Sequence, residues 1–222
     1  METLPWEKVG REHKRDLKKA SLLLDLRRCV GCHACSVACK TEHDVALGSF
    51  RLRVRYIERP DRPTISFVPL MCMQCEDAPC IPVCPHEAVT RLEDGRVVIN
   101  EQECEGEVCC VPACPYGAIY MDPVTNKADK CDLCTHRTEV GLDPACVDAC
   151  PVEAIRYGDA ADSKDPISQV AKKHDAGRVR EAADTKPLVP YVGYEKWMDE
   201  KLNTGVQLSP NDEDVTYEQK KW

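Results

Sequence analysis

Sixteen of the 222 residues are cysteine, and they fall into four groups of four. In the first group, CVGCHACSVAC at 29–39, the thiols lie at positions i, i+3, i+6 and i+10, and the last gap of every group spans three residues. Thiolates are soft ligands that select zinc, copper(I) or iron–sulfur clusters. The sequence therefore predicts metal chemistry at four groups: Cys29, Cys32, Cys35, Cys39; Cys72, Cys75, Cys80, Cys84; Cys104, Cys109, Cys110, Cys114; and Cys131, Cys134, Cys146, Cys150.

The spacing favours iron–sulfur clusters over two other uses of paired cysteines. Disulfides suit small secreted chains, and we expect no secretory signal here, because Cys29 follows Arg27 and Arg28 directly without an apolar segment. Structural zinc needs neither a third cysteine three residues on nor a fourth cysteine before proline. The run C-x₂-C-x₂-C-x₃-C is typical of a [4Fe–4S] loop whose fourth cysteine ligates a second cluster.

A fourth cysteine that serves a second cluster requires partner motifs, and the chain repeats one unit three times. CPHEAV at 84–89 matches CPYGAI at 114–119 and CPVEAI at 150–155. A hairpin signal follows the first two copies, with Asp94-Gly95 as the turn in 89–100 and Asp122-Pro123 as the turn in 119–130. Cysteine loop, Cys-Pro, hairpin and cysteine loop form the layout of a ferredoxin with two clusters.

Composition and charge limit the size of the apolar core and the classes of partner that the chain can have. With 2 Phe and 3 Trp the apolar core is modest, so we expect metal binding to contribute folding free energy. The formal charge is −8, and four oxidised clusters at about −2 each, thiolates included, would take it to roughly −16. Such a chain is a poor match for nucleic acid. No run of 18 apolar residues is present, so we expect no membrane span.

Outside the cysteine groups the chain shows four further signals. Residues 21–28, SLLLDLRR, predict a short apolar strand. Residues 50–60 alternate apolar and basic side chains, which predicts a strand with one solvent-exposed face. We expect a helix near 166–174. Residues 185–222 have little periodicity and predict an extended tail, and Tyr191, Tyr194 and Trp197 are expected to bind another subunit.

The chain resembles the four-cluster ferredoxin-type subunits of molybdopterin oxidoreductases of the dimethyl sulfoxide, polysulfide, thiosulfate and arsenate reductase type. The resemblance covers residues 22–193. It rests on LDLRRCVGCHACSVACKTEH (24–43), CMQCEDAPCIPVCPHEAV (72–89), CPYGAIY (114–120), KCDLCTHRTEVGLDPACVDACPVEAI (130–155) and TKPLVPYVG (185–193).

The resemblance implies which cysteines share a cluster, because the family pairs the first group with the fourth and the second with the third. The implied ligand sets are Cys29, Cys32, Cys35, Cys150; Cys39, Cys131, Cys134, Cys146; Cys72, Cys75, Cys80, Cys114; and Cys84 with most of the third group. It thus implies a loop-rich α+β fold with two nested ferredoxin-like dicluster modules and an extended C-terminal tail. We expect an N-terminal extension at 1–20, a core at 21–160 and a helix with a partner-binding tail at 161–222; the outer half is 21–58 plus 128–160 and the inner half is 59–127.

The third group departs from the family pattern. When Cys110 and Cys114 take the third and fourth positions, Glu107 stands where the second cysteine belongs. Three arrangements fit: Cys109 replaces the ligand, Glu107 binds the iron through oxygen, or the iron is missing and the cluster is [3Fe–4S]. We favour Cys109 because thiolate is the softer ligand. Gly106 gives the loop the freedom to bend.

The predicted function is single-electron transfer through four [4Fe–4S] clusters, with no substrate chemistry on this chain. The resemblance implies a catalytic molybdopterin (Mo/W) partner and a membrane quinone-reactive or cytochrome partner. The protein is expected in the cytoplasm, at a membrane through its partners, or exported as a passenger of a partner subunit. Two alternatives remain, an electron-transfer subunit of a hydrogenase or formate–hydrogen complex, and a zinc-stabilised interaction module. His33, His86 and His136 lie in or beside the cysteine loops and could donate hydrogen bonds to sulfur.

Overall fold

The structure, a computed structural model, describes residues 16–59 and 63–202. Its helices and strands are short and joined by loops, and no helix in these ranges has the length and apolarity to cross a bilayer. The strands are β1 (Ala20–Asp25), β2 (Arg53–Glu58), β3 (Ile65–Leu70), β4 (Val89–Arg91), β5 (Val97–Ile99), β6 (Tyr120–Met121), β7 (Ala128–Asp129), β8 (Ile155–Asp159) and β9 (Tyr191–Val192). The helices are α1 (Ala34–Glu42), α2 (Cys110–Ala113), α3 (Thr135–Thr138), α4 (Ala145–Asp148), α5 (Pro166–Lys173) and α6 (Trp197–Leu202).

Strand β1 is the centre of a three-stranded sheet, which confirms the apolar strand predicted at 21–28. All six of its residues are buried, because β8 pairs with one edge in antiparallel orientation and β9 with the other in parallel. Leu24 lies opposite Ile155 on one side and Tyr191 on the other. Since β1 ends just before Cys29 and β8 begins shortly after Cys150, this pairing brings the first cysteine loop to the last.

The predicted hairpins are confirmed, and so is a strand within 50–60, although it does not keep one face exposed to solvent and the other buried. β4 pairs with β5 across the turn at Gly95, whose φ is 81°, and β6 pairs with β7 across a turn in which Asp122 Oδ1 accepts the N–H of Val124. β2 pairs with β3; Val54 is buried on one face, and Ile57, three residues on, is buried on the other, while Tyr56 is exposed. Strong local turn signals explain why these elements could be predicted without knowledge of their packing.

Helix α5 confirms the helix expected near 166–174. Asp165 caps its N-terminus, where Oδ1 accepts the N–H of Ile167 at 2.9 Å, and Pro166 occupies the first turn. The buried side chain of Ile167 packs with Leu23 and Val192. The helix therefore covers one face of the three-stranded sheet.

The expectation of an extended tail with Tyr191 as an anchor is wrong for residues 185–202, while binding of Tyr194 and Trp197 to another subunit stays a prediction. Tyr191 is 0% exposed, and its hydroxyl donates to the carbonyl oxygen of Pro69 at 2.8 Å. Met198 and Leu202 of α6 are also buried in the chain's own core. The reason is that β1 has a second edge, and β9 fills it. Residues 203–222 and most of the expected N-terminal extension lie outside the described residues.

The aromatic residues of this segment are held by intramolecular contacts. Trp197 lies under the guanidinium of Arg59, 5.3 Å from its ring centroid, and the Tyr194 hydroxyl donates to Asp199 Oδ1 at 2.6 Å. Tyr194 also packs beside Tyr191, with ring centroids 5.8 Å apart. The tail up to residue 202 is therefore part of the folded core.

We predict that Tyr191→Ala lowers the free energy of unfolding by about 3–5 kcal/mol, because it empties a fully buried aromatic position. Tyr191→Phe should cost about 1 kcal/mol, since it removes only the donor to Pro69. Denaturant unfolding of the anaerobically purified protein measures both. Val124→Ala, in an exposed turn, serves as the control. Equal midpoints for Tyr191→Ala and the control would contradict this packing.

Candidate iron–sulfur centres

The first set of cysteines, site 1, joins the two ends of the β1–β8 pair. Cys29, Cys32 and Cys35 lie in the loop after β1 and the first turn of α1, and Cys150 precedes β8. The pKa of the Cys35 thiol is raised to about 11, chiefly by burial, with contributions from the neighbouring thiols of Cys29 and Cys150. Cys32 is exposed. Site 1 therefore lies at the surface and combines thiols from the first and the last cysteine groups of the chain.

The second set, site 2, is the most enclosed. Burial raises the pKa of the Cys146 thiol far above its usual value, and the thiols of Cys131, Cys134 and Cys39 act in the same direction. All four cysteines are buried. Cys39 comes from α1 and Cys146 from α4, and these two helices pack on each other. Packing of α1 on α4 thus brings the first and fourth cysteine groups together a second time.

The third set, site 3, lines a partly open space of about 320 Å³. Cys72, Cys75, Cys80 and Cys114 share its wall with apolar side chains such as Val97. The pKa of the Cys80 thiol is raised to about 12, chiefly by burial and next by the neighbouring thiol of Cys72. Four thiols around an apolar space are the donor set that a cubane cluster requires.

The fourth set, site 4, lines a space of similar size, about 290 Å³. Its thiols are Cys84, Cys104, Cys109 and Cys110. Burial raises the pKa of the Cys110 thiol to about 11, and Cys109, Cys104 and Cys84 add to the rise. The structure therefore brings the irregular third group to the same space as the last cysteine of the second group.

The loop before Cys109 is bent by two left-handed residues. Gly106 has φ 80°, and a Cβ there would lie 2.6 Å from the carbonyl oxygen of Asn126, so the loop needs glycine. Val108 has φ 62°, which is rare for a β-branched residue. Glu107 and His86 also border this cavity; the Glu107 side chain is 61% exposed, and its carboxylate lies 3.8 Å from Nε2 of His86. The bend brings Cys109 to the cavity, while the carboxylate of Glu107 faces His86.

The three Cys-Pro copies adopt the same local turn. Three residues after each cysteine the backbone is left-handed, with φ 52° at Glu87, 57° at Gly117 and 49° at Glu153. In two copies the N–H of the next residue donates to the cysteine sulfur: Ala118 to Cys114 at 3.5 Å and Ala154 to Cys150 at 3.2 Å. Backbone N–H groups that donate to a cysteine sulfur favour its thiolate form, which is the form that binds metal. These turns therefore fit a cluster-binding role.

The histidine that contacts a cysteine sulfur is one that the sequence did not single out. His43 Nε2 lies 3.2 Å from Cys134 Sγ, while Arg51 donates to its Nδ1 at 2.7 Å. Arginine can only donate, so the proton of His43 sits on Nε2 and points to the sulfur. Burial and the charge of Arg51 lower the pKa of His43 to about 4, so the ring is neutral at pH 7.

The three histidines expected near the cysteine loops have other contacts. His33 is stacked on Tyr56, with ring centroids 5.5 Å apart, and His136 lies 2.8 Å from a carboxylate oxygen of Glu42. His86 faces Glu107. No local pattern marks His43, which follows α1 and reaches site 2 only through tertiary packing.

The residues at these sites fit iron–sulfur clusters, and comparisons with known proteins define the class. Residues 63–160 match a family model described as a 4Fe-4S dicluster domain. The chain is 40% identical to a tetrathionate reductase subunit of Salmonella typhimurium over 78% of its own length and 72% of that protein. It is 40% identical to a polysulfide reductase chain of Wolinella succinogenes, over 77% of this chain and 92% of that one.

A more distant relative extends the same comparison. The arsenate respiratory reductase iron-sulfur subunit of Shewanella sp. strain ANA-3 is 31% identical over 78% of this chain and 96% of its own length. The chain therefore belongs to the family of iron–sulfur electron-transfer subunits of reductases, and it carries a 4Fe-4S ferredoxin-type domain.

We predict that iron is lost to a chelator more readily at pH 6 than at pH 8. Burial raises the pKa of the metal-free thiols to about 11 or 12, as at Cys35 and Cys80. Each freed thiolate therefore takes up a proton at either pH, and a lower pH favours that uptake. Loss of the visible absorbance under argon measures the release, with the chelator calibrated on free iron at each pH. Equal release at both pH values would contradict the prediction.

Proposed function

We propose that the protein relays single electrons through four [4Fe–4S] clusters, between a catalytic molybdopterin subunit and a membrane quinone-reactive or cytochrome subunit. The clusters would supply one-electron redox capacity. The chain would supply the thiolate ligands, the spacing between sites and the surfaces at either end. In this proposal sites 1 and 2 form the outer dicluster module and sites 3 and 4 form the module nested within it.

The observation that carries the proposal is the order of the four sites. Cys146 of site 2 is close enough to Cys35 of site 1 for the two thiols to interact electrostatically. Cys131 of site 2 is close in the same sense to Cys72 of site 3. Sites 3 and 4 are joined by short chain segments, 80–84 and 110–114. These contacts support a line that runs from site 1 to site 4.

Exposure along this line supports entry and exit at its ends. Cys32 of site 1 is exposed and Cys109 of site 4 is half-buried, whereas all four cysteines of site 2 are buried. Exposed apolar side chains lie beside both ends, with Val30 54% exposed next to site 1 and Val108 47% exposed next to site 4. Each end thus offers a surface at which a redox partner could approach a cluster.

The nature of the partners is inferred from the relatives. Their names describe subunits of tetrathionate, polysulfide and arsenate reductases, so a separate catalytic subunit is implied. The resemblance to subunits of molybdopterin oxidoreductases supports molybdenum or tungsten in that subunit. The same subunit type serves many chemistries, and the substrate of the partner is not part of the proposal.

The proposal is tested on the complex purified anaerobically from the native host. We expect molybdenum or tungsten in the preparation, about four clusters per chain, and electron flow between the quinone or cytochrome subunit and the catalytic subunit. Cys39→Ser should impair the buried site 2 and interrupt that flow, while Thr41→Ala, exposed on the same helix, should not. Nickel in place of molybdenum, or an unimpaired flow in Cys39→Ser with site 2 lost, would overturn the proposal.

We further propose that Cys109 is the fourth ligand of site 4 and that the cluster there is [4Fe–4S]. The closeness of its thiol to that of Cys110 supports this, as do the exposure of the Glu107 side chain and its contact with His86, although Glu107 borders the same cavity. Cys109→Ala should therefore convert that cluster to a three-iron form, visible by electron paramagnetic resonance of the oxidised protein, and Glu107→Ala should leave it intact. A three-iron signal in the anaerobically purified unmodified protein would contradict the assignment.

A further inference from the structure

Lys130 is a fully buried lysine between β7 and the cysteines of site 2. Its residue is 2% exposed, although lysine is almost never fully buried unless its charge is paired. It directly precedes Cys131 in the chain. Removing a charge from water in this place is costly unless another charge compensates it.

No carboxylate pairs with this ammonium among residues 16–59 and 63–202. Nζ donates to the carbonyl oxygens of Val97 and Cys131, the second at 3.2 Å. The adjacent Asp129 directs its carboxylate to Arg51 and to the hydroxyl of Tyr120. Two carbonyl groups satisfy hydrogen bonds but carry no net charge, so the counter-charge must come from elsewhere.

The ammonium lies where the loops of sites 2 and 3 meet. Gln74, from the loop of site 3, donates through Nε2 to the carbonyl oxygen of Cys131 at 3.0 Å, and its Oε1 accepts the N–H of Val97 at 2.8 Å. Gln74 and Lys130 therefore bind the same two residues, one in each neighbouring site. Val97 also lines the cavity of site 3.

Nζ binds the carbonyl oxygen of Val97, and Val97 lines the cavity of site 3 together with Cys80 and Cys114. Both cysteines belong to site 3. Thiolates formed there by metal binding would provide the missing negative charge.

We propose that Lys130 is the shared counter-charge of sites 2 and 3 and that it raises the reduction potentials of both centres. The inference rests on the proposed function, since it assumes clusters at these sites. Reduction adds negative charge to a centre, and a cation held close in a low-dielectric interior stabilises the reduced form. Two anionic centres that lie side by side also repel each other, and a cation between them reduces that repulsion. Lys130 is thus a positioning residue for charge rather than a ligand.

Three substitutions separate the charge of Lys130 from its hydrogen bonds. Lys130→Met removes both the charge and the donor, Lys130→Gln keeps a donor without the charge, and Lys130→Arg keeps the charge. Lys127→Gln is the matched control, because it removes a cation three residues away whose Nζ donates to the carbonyl of Glu101 near the surface. If Lys130→Met does not load iron, Lys130→Gln decides.

The test is a redox titration of the complex under argon, monitored by electron paramagnetic resonance, with iron and sulfide assayed in each variant. Site 2 signals are assigned with Cys39→Ser and site 4 signals with Cys109→Ala. In Lys130→Gln we expect two of the four centres, sites 2 and 3, to become harder to reduce by tenfold or more in the one-electron equilibrium, about 59 mV. Sites 1 and 4 should keep their potentials, and Lys130→Arg should restore the wild-type values.

Each of the following outcomes would overturn the inference. A fully loaded Lys130→Gln protein with unchanged potentials would show that Lys130 only ties two carbonyl groups together. An equal shift at all four centres, or the same shift in Lys127→Gln, would show a general effect of charge. An unmodified protein that lacks clusters at sites 2 and 3 would instead refute the proposed function, and the inference with it.

Discussion

The structure depends on one constraint, which is that each set of four thiols draws on chain segments that are far apart in sequence. Sites 1 and 2 combine residues 29–39 with residues 131–150. Two separate contacts bring these segments together: β1 pairs with β8, and α1 packs on α4. The short strands and four-residue helices make sense in this light, since their principal task is to bring sulfur atoms together.

Polar groups do much of the work that aromatic residues do in other cores. Arg51 joins Asp129, Asp132 and His43 beside site 2, and Gln74 and Lys130 join the loops of sites 2 and 3. Buried polar networks of this kind stabilise a fold only when every member is satisfied. The arrangement suits a chain with 2 Phe, because thiolates and their surroundings favour hydrogen-bond donors over hydrocarbon.

The sequence predicted those features that rest on local signals. The hairpin at Asp94-Gly95, helix α5 and strand β1 each have turn residues, caps or an apolar run that indicate them directly. Burial of Tyr191 was missed because it depends on the free edge of β1, which no local pattern reveals. His43 and Lys130 were missed for the same reason, since their partners are distant in sequence.

The interleaved order of the segments has a consequence for synthesis on the ribosome. The inner cysteines, at 72–114, emerge within a short stretch, whereas Cys29 must wait for Cys150. At about 5–20 residues per second, the roughly 120 residues between them take on the order of 6–24 s. Throughout that interval the thiols of the first loop lack Cys150. In the proposed nested arrangement the nascent chain therefore completes its inner half first, and its earliest motif is among the last to be closed.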